Sequence, residues 1–346
     1  MVSEPLLDVD GLVTRFHWED GVVHAVNGVS FQVRPGETLG VVGESGSGKS
    51  VTMLSLVRLI PQPSGRIEAG TARFRMTDGT VDLLQLSEHE VGEMRGNEIG
   101  FVFQDPATSL NPVMTVGRQV TESLRRHQGL RRKAARAEAI DLLRRVGIAD
   151  PERRFDDYPH QFSGGMRQRV VIAIALAGDP SMIIADEPTT ALDVTVQAQI
   201  MELMKKLQAE RDLAVIWVSH DLAVIAAVAD RVLVLYGGTV VENAPVDELY
   251  TDPQHPYTRA LLSAVPSADT AAERPAPIPG APPVLTAEPD SCPFADRCRH
   301  VFDRCRYQRP GLAAAGPDRH VACFWDVDGD RLRDDVPVAA TRDFVR

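Results

Sequence analysis

The apolar residues at the start of the chain form short runs that predict strands followed by a helix. Residues 7–34 are predicted to form short strands, interrupted by the polar turn Glu19-Asp20-Gly21. The apolar run Thr38–Val42 predicts a buried strand, and a glycine-rich turn follows it. Val51–Ile60 then has helical periodicity and ends before Pro61.

The alternation of strands and helices continues to residue 242. Further strands are predicted at Phe101–Phe103, Ser181–Ala185, Leu213–Ser219, Arg231–Tyr236 and Thr239–Glu242. Further helices are predicted at Val116–Val146, Val170–Ala177, Val194–Arg211 and Leu222–Ala229. Strands that alternate with helices indicate an α/β domain built on a mainly parallel sheet.

The composition of the chain changes after residue 264. Residues 266–289 contain seven prolines and few large apolar side chains, which is typical of a linker. We therefore predict a main domain over residues 1–264, a linker over 265–290 and a C-terminal segment over 291–346.

The charge balance and the short apolar runs argue against two classes of protein. The chain has 37 Lys and Arg against 48 Asp and Glu, a net charge of -11, whereas nucleic-acid binding needs a basic surface. No apolar run approaches the roughly 18 residues that cross a bilayer. The acidic start Met1–Asp10 does not have the pattern of a signal peptide. We expect a cytoplasmic protein that binds no nucleic acid and reaches a membrane only through partners.

The glycine-rich turn fits the phosphate-binding pattern G-x-x-x-x-G-K-S, between a predicted strand and a predicted helix. Glycines allow backbone N–H groups to surround a polyanion, and the helix N-terminus adds partial positive charge. Lys49 supplies a charge for the β- and γ-phosphates, and the Ser50 hydroxyl is placed to bind Mg²⁺. We expect ATP contacts from Gly43, Glu44, Ser45, Gly46, Ser47, Gly48, Lys49, Ser50 and Val51.

Two carboxylates follow the apolar strand that ends at Ala185. Ligands collect outside the carboxyl ends of strands in open α/β sheets. Asp186 is therefore expected to face the Mg²⁺ ion, and Glu187 to polarise the attacking water as a catalytic base. The loop predicts nucleotide binding, and this pair predicts hydrolysis.

Residues Phe162–Arg169 resemble the signature of ATP-binding-cassette (ABC) transporter ATPases, with Phe162 and Met166 replacing its usual Leu and Gln. Physically, this is a serine N-cap followed by two glycines at a helix start. The resemblance implies that this end contacts the nucleotide of an opposite subunit in a head-to-tail dimer. The residues concerned are Ser163, Gly164, Gly165 and Met166.

The remaining motifs of the family match in order along the chain. Gln104 matches its Mg²⁺- and water-contacting glutamine, His220 its γ-phosphate histidine, and Asp193 the loop that communicates across the dimer. Phe16 matches the adenine-stacking aromatic, with Trp18 as the competing position.

The segments 104–112, 162–169 and 253–258 together resemble the oligopeptide/dipeptide importer ATPases over nearly the whole chain. The implied fold is α/β: a P-loop NTPase ABC cassette with a RecA-like core, an antiparallel β subdomain, a helical subdomain near 106–162 and a small Cys-rich extension. The implied partners are a second ATPase subunit, two membrane permease subunits and an extracytoplasmic substrate-binding protein. The resemblance thus implies an ATPase at the cytoplasmic face of the membrane.

Two other functions compete with that of a transporter ATPase. A soluble ABC ATPase of DNA repair or translation usually carries two cassettes or zinc modules within the cassette. A P-loop kinase has no use for the Ser163-Gly164-Gly165 motif. The single cassette and the acidic balance of this chain favour the transporter.

Four cysteines, Cys292, Cys298, Cys305 and Cys323, lie in the last 55 residues with the spacing C-x5-C-x6-C-x17-C. This spacing lacks the close pairs typical of structural zinc sites and suits a four-cysteine iron–sulfur cluster. The family resemblance implies a [4Fe-4S] cluster, and zinc or no metal are the alternatives. We expect the metal to hold together a tail too poor in apolar residues to form a core.

Overall fold

The computed structural model describes residues 4–264, 278–327, 329, 331–333 and 335–339. The strands are β1 (Leu7–Trp18), β2 (Gly21–Val33), β3 (Thr38–Val42), β4 (Gly65–Met76), β5 (Gly79–Asp82), β6 (Ile99–Val102), β7 (Met182–Asp186), β8 (Ala214–Val218), β9 (Arg231–Tyr236), β10 (Thr239–Pro245), β11 (Ala313–Gly316), β12 (Arg319–Val321), β13 (Trp325–Asp326) and β14 (Arg331–Leu332). The α-helices are α1 (Lys49–Leu56), α2 (Glu88–Met94), α3 (Pro106–Ser109), α4 (Val116–His127), α5 (Arg132–Arg145), α6 (Pro151–Arg154), α7 (Gly164–Leu176), α8 (Val194–Arg211), α9 (Leu222–Val228), α10 (Val246–Thr251), α11 (Pro256–Ser263) and α12 (Asp303–Tyr307). Short 3-10 helices span Pro159–Gln161 and Ala295–Arg297.

The chain divides into two compact units, each built from separate stretches of sequence. The first unit consists of Met1–Leu6, Val33–Thr38 and Phe74–Val218. The second consists of Leu7–Gln32, Leu39–Arg73 and Ser219–Arg346.

The first unit contains the parallel strands β6, β7 and β8, with β7 in the middle. Every residue of β7 and β8 is buried, which explains their continuous apolar sequences. The segment 106–162 carries α3, α4, α5, α6 and the first 3-10 helix. Within α4 and within α5, the buried apolar residues recur about one helical turn apart, so each helix buries one face.

The second unit contains β3, β9, β10, β12 and β11, adjacent in that order. Strands β3 and β9 are parallel, and the remaining neighbours are antiparallel. The C-terminal strand β12 therefore extends the same sheet that contains the strand before the phosphate-binding loop.

Three local predictions need correction. The helix predicted at Val51–Ile60 begins at Lys49 and ends at Leu56, because Arg58 takes the left-handed conformation (φ 52°). The single helix predicted at Val116–Val146 is two helices, separated near Gly129 (φ 64°). The helix predicted at Val170–Ala177 begins at Gly164, where a serine caps it.

The C-terminal segment has a small hydrophobic core of its own, contrary to the prediction. Ala295, Cys305, Phe324 and Val336 pack together. The apolar residues are sparse in sequence, and the loops bring them together only in three dimensions.

None of the helices in the described part of the chain combines the length and apolar character that crossing a membrane requires.

Candidate ATP site and cysteine segment

The phosphate-binding loop joins β3 to α1 in the second unit, and two of its glycines are sterically required. Gly43 has φ 153° and Gly48 has φ 97°. A Cβ atom on Gly43 would lie 2.2 Å from the Leu235 carbonyl oxygen, and one on Gly48 would lie 2.6 Å from the Ala25 carbonyl oxygen. Larger residues would therefore displace the backbone N–H groups of the loop.

Lys49 is buried beneath this loop, at the start of α1. Its side chain donates hydrogen bonds to the carbonyl oxygens of Gly43 (2.7 Å) and Glu44 (3.0 Å). Ser50 follows in the first turn of the helix, at a half-buried position. The charged ammonium group, the helix N-terminus and the loop together form an anion-binding arrangement.

His220 and the aromatic candidates also lie in the second unit. The Ser219 N–H donates to the Val41 carbonyl (3.1 Å), which places exposed His220 just beyond the end of β3 and near the start of the loop. Phe16 is half-buried in β1, whereas Trp18 is 60% exposed at the end of that strand.

The carboxylates and Gln104 lie in the first unit. Asp186 is the buried last residue of β7. Glu187 takes the left-handed conformation (φ 49°), and its N–H donates to the Val218 carbonyl (3.0 Å). Such a conformation is strained for a residue other than glycine and is typical of functional sites.

The Glu187 side chain is held by two donors. Gln104 Nε2 and Thr190 Oγ1 each donate to Glu187 Oε2 at 2.9 Å. The structure therefore brings together two predicted residues, Gln104 and Glu187. Thr190 was not predicted, because a threonine three residues past a glutamate has no signature of its own.

The predicted signature forms the start of α7, also in the first unit. Ser163 Oγ accepts a hydrogen bond from the Met166 N–H (3.3 Å), as an N-cap does. Gly165 packs closely on α8, where a Cβ atom would lie 2.4 Å from a methyl group of Val196. Asp193 caps α8 by accepting from the Val196 N–H (3.0 Å).

Comparison with known proteins identifies the family. A family model described as "ABC transporter" matches residues 26–190, and one described as "Oligopeptide/dipeptide transporter, C-terminal region" matches residues 241–305. A putative peptide import ATP-binding protein of Brucella abortus is 50% identical over 91% of this chain and 93% of its own length. The oligopeptide transport ATP-binding protein of Bacillus subtilis is 48% identical over 96% and 92%. The chain belongs to the ABC transporter family.

Solved structures agree with this assignment. A dimeric ATP-binding cassette in a post-hydrolysis state, bound to ADP and Pi, is 29% identical, with a TM-score of 0.61 over 69% of this chain and 98% of that one. A part of an ABC transporter complex from Clostridium perfringens is 28% identical, with a TM-score of 0.60 over 72% and 92%. The predicted resemblance and the cassette fold are confirmed, and this ABC protein is an ATP-binding and ATP-hydrolysing subunit.

The four cysteines of this ABC ATPase converge, although 31 positions separate the first from the last. All four are free thiols, and all line one small cavity that His255 and His300 also line. Burial raises the pKa of each thiol, that of Cys323 to about 12. Burial therefore favours the neutral thiols, and a bound cation would reverse this preference.

Zinc and an iron–sulfur cluster require different arrangements of four thiolates. No three His, Cys, Asp or Glu side chains among the described residues are grouped as ligands of a single metal ion. A tetrahedral zinc site, with Zn–S distances of about 2.3 Å, brings its sulfurs within about 4 Å of one another. The thiolates of an iron–sulfur cluster bind separate iron atoms and lie further apart.

Arg297 and Tyr257 also contact the phosphate-binding loop and were not predicted. Arg297 forms an ion pair with Glu44, and the Tyr257 hydroxyl accepts a hydrogen bond from the Glu44 N–H (2.8 Å). Both residues are more than 200 positions from the loop in sequence. No pattern in one sequence links residues so far apart.

Proposed function

We propose that this ATPase powers the import of oligopeptides or dipeptides through partner membrane subunits. Support comes from the printed functions of the relatives and from the match to the oligopeptide/dipeptide C-terminal region. A soluble role in DNA repair or translation has no comparable support.

ATP binding would occur at the loop 43–51, with Phe16 stacking on the adenine. The observation that carries this proposal is the loop itself, with its left-handed glycines and buried Lys49. Lys49 would exchange its bonds to loop carbonyls for bonds to the β- and γ-phosphates. Ser50, Gln104 and Asp186 would hold Mg²⁺, which neutralises phosphate charge when bound.

Hydrolysis would use Glu187 as the base that orients and polarises the attacking water. Gln104 and Thr190 would fix its carboxylate through the two hydrogen bonds described above. His220 would contact the γ-phosphate. In this proposal the Ser163–Met166 signature serves the nucleotide of the second ATPase subunit, and Asp193 communicates between the two subunits.

The assembly would contain a second ABC ATPase subunit, two membrane permease subunits and an extracytoplasmic substrate-binding protein. Such an assembly would hold the protein at the cytoplasmic face of the cell membrane through its partners. Purification of the native complex through a tag on this chain tests the assembly. Recovery of permease subunits would support the proposal, and recovery with ribosomes or DNA and no membrane subunit would refute it.

We further propose that Cys292, Cys298, Cys305 and Cys323 bind a [4Fe-4S] cluster. Their convergence on one cavity supports a shared site, and a sequence spacing without the close pairs typical of zinc sites favours a cluster. Anaerobic purification followed by iron, sulfide and zinc analysis tests this proposal. A colourless protein with one zinc per chain would contradict it.

A further inference from the structure

We infer that Arg297 of the cysteine segment is a positioning residue for the phosphate-binding loop and acts through the Glu44 carboxylate. The inference rests on the proposed function, since it concerns the affinity of that loop for ATP. Nothing in the sequence motifs assigns a role to Arg297, which lies between the first and second cysteines.

The contact between Arg297 and Glu44 is a two-pronged ion pair. Arg297 Nη1 donates to Glu44 Oε2 at 2.6 Å, and Nη2 donates to Oε1 at 3.1 Å. The Arg297 side chain is only 6% exposed. It also donates to the Pro279 carbonyl (2.8 Å) and to the Tyr236 hydroxyl (3.1 Å). A buried guanidinium with these partners has one fixed position and holds the carboxylate in a fixed geometry.

Three groups of Glu44 are held by hydrogen bonds: its N–H, its carbonyl and its carboxylate. Its N–H donates to the Tyr257 hydroxyl (2.8 Å), and its carbonyl accepts from Lys49 (3.0 Å). Arg297 holds the third group, the carboxylate. Because Glu44 belongs to the loop whose backbone N–H groups would surround the phosphates, a shift of Glu44 also shifts those donors.

Arg297 also has an electrostatic role. Glu44 places a negative charge within a loop that binds a triphosphate, and like charges repel. The paired guanidinium neutralises this charge. Without Arg297, Glu44 would be a half-buried carboxylate with no such counter-charge beside the phosphates, and ATP would bind more weakly.

The cysteine segment fixes the position of Arg297. Arg297 directly precedes Cys298, and Phe294 packs against Tyr236 and Tyr257, with ring centroids 5.2 Å and 5.3 Å apart. These two tyrosines are the ones whose hydroxyls contact Arg297 and Glu44. The fold of the cysteine segment is therefore connected directly to the loop.

The test is a titration of purified full-length protein with a fluorescent ATP analogue, together with steady-state ATPase kinetics. Arg297→Ala should raise the Kd about five- to tenfold, at the lower end of the range for a residue that acts on a binding site indirectly. It should raise KM while leaving kcat unchanged at saturating ATP. Arg299→Ala is the matched control, because it removes the same charge from an exposed position just past Cys298.

A second variant separates electrostatics from general damage to the fold. In Glu44→Gln/Arg297→Ala the unpaired carboxylate is absent, so the electrostatic part of the lost affinity should return, while the part that comes from positioning stays lost. An Arg297→Ala protein with wild-type Kd would overturn the inference, and so would a double variant as weak as Arg297→Ala. Failure of the wild-type protein to bind ATP any better than Lys49→Ala would instead refute the nucleotide site itself.

Discussion

We expect the substitution Glu187→Gln to separate ATP binding from hydrolysis in this protein. Both described hydrogen bonds to the side chain, from Gln104 and Thr190, end on the same oxygen, Oε2. A glutamine amide oxygen can occupy that position and accept both bonds. The change can therefore keep both described hydrogen bonds while it removes the negative charge.

The expected loss follows from the role of a general base. Positioned proton transfer contributes about 10²- to 10⁴-fold to a rate. The loop that binds the phosphates is untouched, so the affinity for ATP should stay within about twofold, as for a surface change elsewhere. We therefore expect kcat to fall at least about a hundredfold with little change in the Kd for ATP.

An assay of released phosphate measures kcat, and a titration with the fluorescent ATP analogue measures the Kd. Size-exclusion chromatography with ATP should show more of the dimer in Glu187→Gln than in the wild type. The variant does not hydrolyse the bound ATP, so the closed dimer persists. Thr190→Ala is the matched control: it removes one of the two bonds but keeps the charge, so its kcat should fall less. Unchanged hydrolysis in Glu187→Gln would refute Glu187 as the base.

Three further predictions concern stability. Gly165→Ala should lower the free energy of unfolding by about 1–3 kcal/mol, because its methyl group would overlap a valine of α8. Gly164→Ala, which meets its nearest neighbour at an ordinary 3.6 Å, should change stability much less. Arg319→Leu should lower the free energy of unfolding by about 3 kcal/mol, because it leaves fully buried Glu242 without the guanidinium at 3.1 Å. Burial lowers the pKa of His255 to about 3. The contribution of neutral His255 to stability should therefore be fully present above pH 6.5. The free energy of unfolding should fall by about 2 kcal/mol between pH 6.5 and 5, because only the unfolded state binds a proton there.

Urea unfolding checks all three predictions. Equal losses in Gly165→Ala and Gly164→Ala would refute the packing argument. A wild-type midpoint in Arg319→Leu would refute the argument from the buried pair. His255→Asn keeps an acceptor for the Tyr257 N–H, which His255 Nδ1 caps at 3.0 Å. A pH dependence equal to that of wild type in His255→Asn would remove His255 as its source.

The sequence predicted those features that depend on neighbouring residues. The phosphate-binding loop, the carboxylates after β7 and the signature at the start of α7 are each contiguous. Their glycines, capping serine and apolar strands obey local rules of backbone geometry. The same rules predicted strands such as β3 and the helix α8, whose predicted bounds Val194–Arg211 are those observed.

The local rules were less reliable where a turn is set by one backbone angle. The C-terminal end of α1 and the break between α4 and α5 lie beside left-handed residues, Arg58 and Gly129. The sequence around Arg58 is compatible with a longer helix, because arginine is a good helix former.

What the sequence by itself determined about this protein is its family, its cassette fold and the residues expected to bind and hydrolyse ATP. Only the tertiary structure showed that the cysteines converge on one cavity. It also showed that Thr190 and Gln104 donate hydrogen bonds to the same oxygen of Glu187, and that Arg297 pairs with Glu44 across 253 positions. Such contacts follow from the folding of the whole chain, which brings together side chains that no local spacing relates. The motifs therefore specify the chemistry of the site, and distant residues fix the positions of its side chains.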